Sequence, residues 1–293
     1  MKNSETKTKK LYEEIWSDPQ QIHREKNPML GWHLGYYEKG VNSYKEALIN
    51  MNKYVGKLLD IKNKNLMILD AGCGIGVTVI YLANKYPNST FYGITLASNE
   101  VKIGEKLKKE KNLKNLSFVQ KSYTNTEFPS EYFDCVYSLE SLSYQKNKRV
   151  YLEEMNRIIK NKGKLVVIDF FRQQDPKKPF IKNIRKKILK HKNLDKPKDT
   201  INTFREQLHE EGFTDIKIEN LLKKGNVKNL YFYGHIFQVM FFNLFRKLEK
   251  EEYKFKKYNP FYLIWRFFKH FTFKILILIH RKPGYFSITA LKK

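Results

Sequence analysis

The segment Leu69-Asp70-Ala71-Gly72-Cys73-Gly74-Ile75-Gly76 is where residue types and spacing first suggest chemistry. It follows an apolar run and opens an amphipathic one, so it reads as the turn from a strand into a helix. Glycines on alternate positions let the backbone approach a ligand closely at the positive end of a helix. A loop of this kind serves NAD, FAD, a phosphate or S-adenosylmethionine. The glycines run G-x-G-x-G rather than G-x-G-x-x-G, unlike dinucleotide binders. No Lys-Ser/Thr pair follows them, which excludes the phosphate loop of ATPases. Metal-ligand spacings such as H-x-x-x-H or C-x-x-C are absent, so no metal site is expected, and nothing resembles a Ser-His-Asp arrangement. Two cysteines, Cys73 and Cys135, are too few for a disulfide framework or a structural zinc site.

The elements that would carry this loop alternate in type. Residues 66–71 read as a buried strand, 77–86 as a helix stopped by Pro87, 90–94 as a second strand and 99–110 as a charged helix. Strands are expected at 116–120 and 133–138, a helix at 150–159, a turn at 161–163 and a fifth strand at 164–171. A helix over 200–211, a sixth strand over 213–222 and a seventh over 285–291 complete the order. Strands alternating with helices imply a parallel sheet wrapped on both faces, a doubly wound α/β core. Between the sixth and seventh strands lie residues the core does not need, with 17 of the chain's 43 aromatic side chains in 231–273. A helical cap inserted before the last strand is the expectation.

The 293 residues allow one large domain, or one domain with an elaborated cap. The formal charge is +26, which points to an anionic partner (nucleic acid, a membrane surface or a phosphorylated small molecule) or to a Lys-rich composition throughout. Residues 1–171 carry a net +8 and residues 172–293 a net +18, with 11 basic side chains in the connection 172–199. The excess therefore sits on the inserted half. Residues 1–10 are polar and hold four lysines with no apolar stretch behind them, unlike a signal peptide. The apolar run 273–279 contains Lys274 and is far short of the ~20 residues that span a bilayer. A cytoplasmic protein is expected, with peripheral contact at an anionic membrane as an option.

Four blocks, in order, make the chain resemble the class I S-adenosylmethionine (SAM)-dependent methyltransferases. Within them it is most similar to the group of sterol methyltransferases, tocopherol methyltransferases and cyclopropane fatty-acid synthases. The blocks are His33-Leu34-Gly35-Tyr36-Tyr37, the glycine loop, Gly93-Ile94-Thr95-Leu96-Ala97-Ser98, and Phe133-Asp134-Cys135-Val136-Tyr137-Ser138-Leu139-Glu140-Ser141-Leu142. The resemblance implies a Rossmann-like, mostly parallel sheet of seven strands and the cofactor SAM. It implies that Asp70, Gly72 and Gly74 hold the methionine end and that Tyr36 closes over the SAM carboxylate. Thr95 stands where most class I enzymes carry an acid, so Thr95, Leu96 and Glu100 would bind ribose and adenine. Ser122 replaces the Asp of many relatives at the adenine, and Tyr123 is the stacking alternative. Residues 1–60 would then be a helical segment over the SAM site, 61–222 the SAM-binding core, 223–284 the cap and 285–293 the last core strand.

Glu140 falls just beyond the fourth strand, at the sheet edge where ligands of such folds bind. In the resembled group this glutamate faces the acceptor. It would serve as a general base, or as a carboxylate balancing a carbocation, with Tyr144 assisting; the alternative is a cap on the following helix. Aromatics in 231–273 suit an oily acceptor or simply form the core of the cap. The expected partner is thus a small lipophilic substrate, phosphorylated ones included: an isoprenoid, sterol-like or fatty alkene, or else an aromatic or amine metabolite methylated on O or N. A nucleic-acid substrate is disfavoured. Leu139-Glu140-Ser141 stands where base-amino methyltransferases carry Asn/Asp-Pro-Pro-Tyr/Phe, and Asn259-Pro260-Phe261-Tyr262 comes too late in the chain.

Overall fold

Strand β1 (Met67–Ala71) is buried along four of its five residues. Its side chains alternate between two cores: Ile68 packs on one face of the sheet, Leu69 and Ala71 on the other. A strand covered on both faces reads as a continuous apolar run rather than an alternating one, which is how the sequence displays it. The computed structural model describes residues 2–16, 33–38, 40–41, 43–62, 65–173, 200–224 and 283–293.

Around β1 stand β2 (Thr90–Thr95), β3 (Leu116–Gln120), β4 (Phe133–Leu139), β5 (Ile159–Arg172), β6 (Phe213–Asn220) and β7 (Pro283–Lys292). They form one seven-stranded sheet in the order β3-β2-β1-β4-β5-β7-β6. β1 through β5 pair in parallel, and β7 runs antiparallel between β5 and β6. The chain builds outward from β1 to β3, then returns to the other side of β1 with β4. That reversal opens a crevice above the carboxyl ends of β1 and β4. Because β7 is antiparallel, its first residues arrive at the same edge.

The helices are α1 (Lys2–Trp16), α2 (Tyr44–Leu59), α3 (Val77–Lys85), α4 (Ser98–Glu110), α5 (Lys148–Ile158), α6 (Ile201–Glu210) and the single turn α7 (Leu221–Lys224). Local chemistry fixes their ends. The Asn147 side chain accepts from the Arg149 N–H to start α5, and Thr200 with Thr203 forms a capping box on α6. In α4, Glu100 lies in the first turn and Lys108 and Lys109 in the last, as the helix dipole favours. α2 and α3 cover one face of the sheet, α5 and α6 the other.

Two boundaries differ from the sequence expectation. The turn over 161–163 lies inside β5: Phe133 pairs with Ile159 and Cys135 with Lys164, so the residues between them bulge out of the ladder. Gly163 permits this bulge, since a Cβ there would lie 2.9 Å from the Asp134 carbonyl oxygen. The sixth strand stops at Asn220 because its side chain accepts from the Leu222 N–H (3.0 Å) and turns the chain into α7. The expected cap with its Asn259–Tyr262 tetrapeptide and nearly all of the basic connection lie outside the described residues. Among those described, no helix is long and apolar enough to cross a membrane, and no three metal-ligating side chains cluster.

Candidate active site

The crevice at the β1/β4 reversal is lined by Asp70, Gly72, Gly74, Thr95, Leu96, Glu100, Tyr123 and Glu140, with Thr8 and Tyr12 of α1 and with His33. Residues more than a hundred positions apart thus meet because the strand ends that carry them are neighbours.

Gly72, Gly74 and Gly76 all have positive φ, at 93°, 56° and 84°. The loop is shaped by a turn in which the Gly72 and Cys73 N–H both donate to the Ile94 carbonyl (3.0 and 2.9 Å) and the Gly76 N–H donates to the Cys73 carbonyl (2.9 Å). The three glycines are needed for different reasons. A Cβ on Gly72 would fall 2.5 Å from the Ser141 Cβ, and one on Gly76 2.2 Å from the Phe118 ring. A Cβ on Gly74 would meet only the Glu100 Oε1, at 3.7 Å across the crevice. Gly72 and Gly76 keep the loop packed, whereas Gly74 keeps ligand space open.

Asp70, at the end of β1, is 3% exposed and accepts a 2.7 Å hydrogen bond from the Tyr137 hydroxyl. Burial pushes its carboxyl up to about 7, against the opposing effect of the Tyr137 donor. Among the described residues no basic side chain pairs with it, so a cationic ligand group is its natural complement. At the end of β2, the Thr95 hydroxyl donates to Glu100, and both are buried. The pair places a hydrogen-bonded carboxylate on the wall facing Gly74.

Ser122 and Tyr123 part company. Tyr123 lines the crevice, its hydroxyl donating to the Ser141 carbonyl (3.3 Å) and its ring edge-on to Tyr151. The Ser122 hydroxyl instead donates to Glu5 of α1 (2.8 Å), as does that of Thr124 (2.6 Å). Ser122 is not a lining residue; it fastens α1 over the crevice.

Glu140 has a left-handed backbone, φ 53°, which a non-glycine residue adopts at a cost of about 1–3 kcal/mol. The Glu140 N–H donates to the Ile168 carbonyl (2.8 Å), extending the β4–β5 ladder by one step before the chain turns. Its Oε1 accepts from the Leu34 N–H and the Tyr285 hydroxyl, both at 2.7 Å. Burial pushes its carboxyl up to about 7; those two donors pull it down, and Asp169 pushes it up further. Both hydrogen bonds fall on one oxygen. The side chain is therefore held by the protein at a fixed place in the crevice wall, and it does not cap a helix.

The structure places Tyr36 differently from the expectation. Gly35, at φ 83°, packs against Ala47 with its Cβ position only 2.9 Å from the Ala47 Cβ, and the Tyr36 N–H donates to the Ala47 carbonyl (2.8 Å). This pins the segment to α2 and stacks the Tyr36 ring on Tyr54 at 4.6 Å, away from the lining. His33 and the Leu34 N–H face the crevice in its stead. The Tyr144 backbone lies in a short 3₁₀ turn, Leu142–Tyr144, and its side chain falls outside the described residues. Sequence reasoning missed Tyr285, Asp169, Thr8 and Tyr12. For Tyr285 a signal existed: it stands at the start of a strand which, in an antiparallel position beside β5, must begin at the ligand edge.

The profile of a family described as a methyltransferase domain matches residues 62–212, just over half of the chain. The probable chloroplastic tocopherol O-methyltransferase of Oryza sativa subsp. japonica is 29% identical over 168 residues, 54% of this chain and 46% of that protein. The Caenorhabditis elegans sterol 4-C-methyltransferase is 30% identical over 131 residues, 44% of this chain and 38% of that one. The chain therefore spans less than half the length of these two curated relatives. The crystal structure of the Streptomyces coelicolor geranyl diphosphate C-methyltransferase superposes with a TM-score of 0.67 at 14% identity, covering 97% of this chain and 98% of that one. Likeness at that identity concerns the fold.

Proposed function

The chain belongs to the methyltransferase domain family, and from that premise we propose that it transfers a methyl group from SAM to a small lipophilic acceptor. One observation carries the reading. A single crevice joins a glycine cradle beside a buried carboxylate, Asp70, to a second carboxylate, Glu140, held by two donors at the neighbouring strand end. The residues present fit the cofactor. Asp70 offers an anion with no cation of the described residues on it, Gly74 leaves the space a side chain would fill, and Thr95 with Glu100 offers acceptors for hydroxyl groups.

When bound, SAM supplies an electrophilic methyl on a sulfonium. The protein's part is then to bring two carbons, or a carbon and a heteroatom, into line and to keep water out. Asp70 and the glycine loop, open at Gly74, orient the methionine end. Thr95, Leu96, Glu100 and Tyr123 hold the nucleoside end, and Tyr12 and Thr8 of α1 shield it. Glu140 takes the acceptor side. Ionised, it balances the positive charge that alkene methylation leaves on carbon, then accepts a proton from the neighbouring carbon. An isoprenoid, sterol-like or fatty alkene is the favoured acceptor, and the basic charge of residues 172–293 suits phosphorylated examples or lipid at an anionic membrane.

The carboxyl of Glu140, pushed up to about 7, also suits a general base at neutral pH, which supports O- or N-methylation of an aromatic or amine metabolite as the second reading. Incubation with methyl-labelled SAM and fractionated lipid and metabolite extracts tests both. Label in an organic-soluble hydrocarbon product supports C-methylation, and label in an ether or tertiary amine supports the second. Label confined to added RNA would overturn the small-molecule reading.

A further inference from the structure

Asp169, on β5, is 1% exposed and touches no ligand space of its own. Its carboxylate nonetheless accepts three hydrogen bonds. The Ser143 N–H donates to one oxygen (2.9 Å), and the Phe170 N–H (2.6 Å) and the Ser143 hydroxyl donate to the other. Ser143 is the centre of the 3₁₀ turn that begins two residues after Glu140. On the near side, the Glu140 N–H is tied to Ile168, the residue before Asp169. The strained left-handed backbone of Glu140 is thus held at both ends by consecutive residues of β5.

We propose that Asp169 is a positioning residue for Glu140: it fastens the turn that keeps Glu140 in its left-handed conformation and sets a second negative charge behind it. The charge acts through space on the Glu140 carboxyl, opposite to the Tyr285 hydroxyl on β7 and the Leu34 N–H. Among the described residues, the other groups near Glu140 are Tyr44 on α2, whose phenol is pushed up by burial and then by Glu140 itself, and the crevice residue His33. Burial pushes the Asp169 carboxyl up, against its Ser143 and Phe170 donors and the charge of Lys148 on α5, itself buried with its ammonium on the Gln145 carbonyl (3.1 Å). Of these two carboxylates only Glu140 lines the crevice, which leaves it as the proton acceptor.

The inference rests on the acceptor-side reading of Glu140, yet its test needs no acceptor, so the two fail separately. The Glu140 carboxyl is titrated by carbon-13 NMR in the full chain, assigned by its loss in Glu140→Gln. Asp169→Asn removes the charge, and the Glu140 midpoint is expected to fall by about half a unit to one unit. Ser143→Ala keeps the charge and releases part of the hold. There the midpoint stays, while hydrogen exchange of the Leu34 amide, which is bonded to Glu140, speeds by about tenfold. An unmoved midpoint in a folded Asp169→Asn protein overturns the electrostatic half. Unchanged Leu34 exchange in Ser143→Ala overturns the positioning half, and it does so even where Asp169→Asn does not fold.

Discussion

Glycine 74 and glycine 76 look alike in the sequence and are predicted to fail differently. Gly76→Ala drives a methyl into the Phe118 ring at a left-handed position, so it should lower stability by about 3 kcal/mol, read by denaturant unfolding. Gly74→Arg displaces no core and bears only the left-handed backbone cost of about 1–2 kcal/mol, so the protein should stay folded while SAM affinity is lost. The two raised carboxyls give a signed pH dependence. Asp70, ordinarily at 3.8, and Glu140, ordinarily at 4.5, are both pushed up to about 7 by burial. The fold favours their protonated forms, so their contribution to stability is full below the ordinary values and is lost as pH rises through about 7. The ligand-free melting temperature should fall over that range, and Asp70→Asn combined with Glu140→Gln should flatten the fall. Turnover runs the other way: kcat/KM should drop below pH 7 as Glu140 protonates, and Glu140→Gln should lose at least 100-fold. At this scale the sequence displayed Asp70, the glycines, Thr95, Glu100, Tyr123 and Glu140, because each sits at a strand end marked by an apolar run. It misled on Tyr36 and Ser122, since which way a ring or hydroxyl turns depends on Ala47, Tyr54 and Glu5, partners that only the fold supplies.

Strand β7 is the element whose placement matters most for the acceptor side. Its pattern is legible as a strand, but its antiparallel insertion between β5 and β6 is a tertiary fact, and that insertion delivers the Tyr285 hydroxyl to Glu140. Tyr285→Phe removes a donor to the carboxylate, so the acid limb of kcat/KM should move to higher pH, the opposite of the shift expected for Asp169→Asn. A limb that stays in place would mean the hydrogen bond does not operate during turnover. The strands and helices of 66–138 were readable to within about a residue because glycine, proline and strand-length apolar runs punctuate them. The bulge at 161–163 was not, because a glycine turn and a glycine bulge share a sequence and differ only in the strand beside them.

Over the whole molecule, one reversal of strand order brings Asp70 and Glu140 into one crevice. The alternation of elements made that reversal foreseeable, whereas an acceptor pocket was not legible in 231–273, since aromatic spacing there suits a core and a pocket alike. The +18 carried by residues 172–293 predicts binding to vesicles that contain anionic lipid, weakening as salt rises from 50 to 500 mM by roughly the screening of exposed charges. Co-sedimentation with anionic and neutral vesicles checks it, and equal binding to both would refute it. The central claim is that the crevice holds SAM between Asp70 and Glu100. Isothermal calorimetry with SAM, on the wild-type chain and on Gly74→Arg, addresses it most directly. One site per chain is expected, lost in a variant that remains folded. No heat of binding from the folded wild-type protein, or equal binding by both proteins, would contradict it.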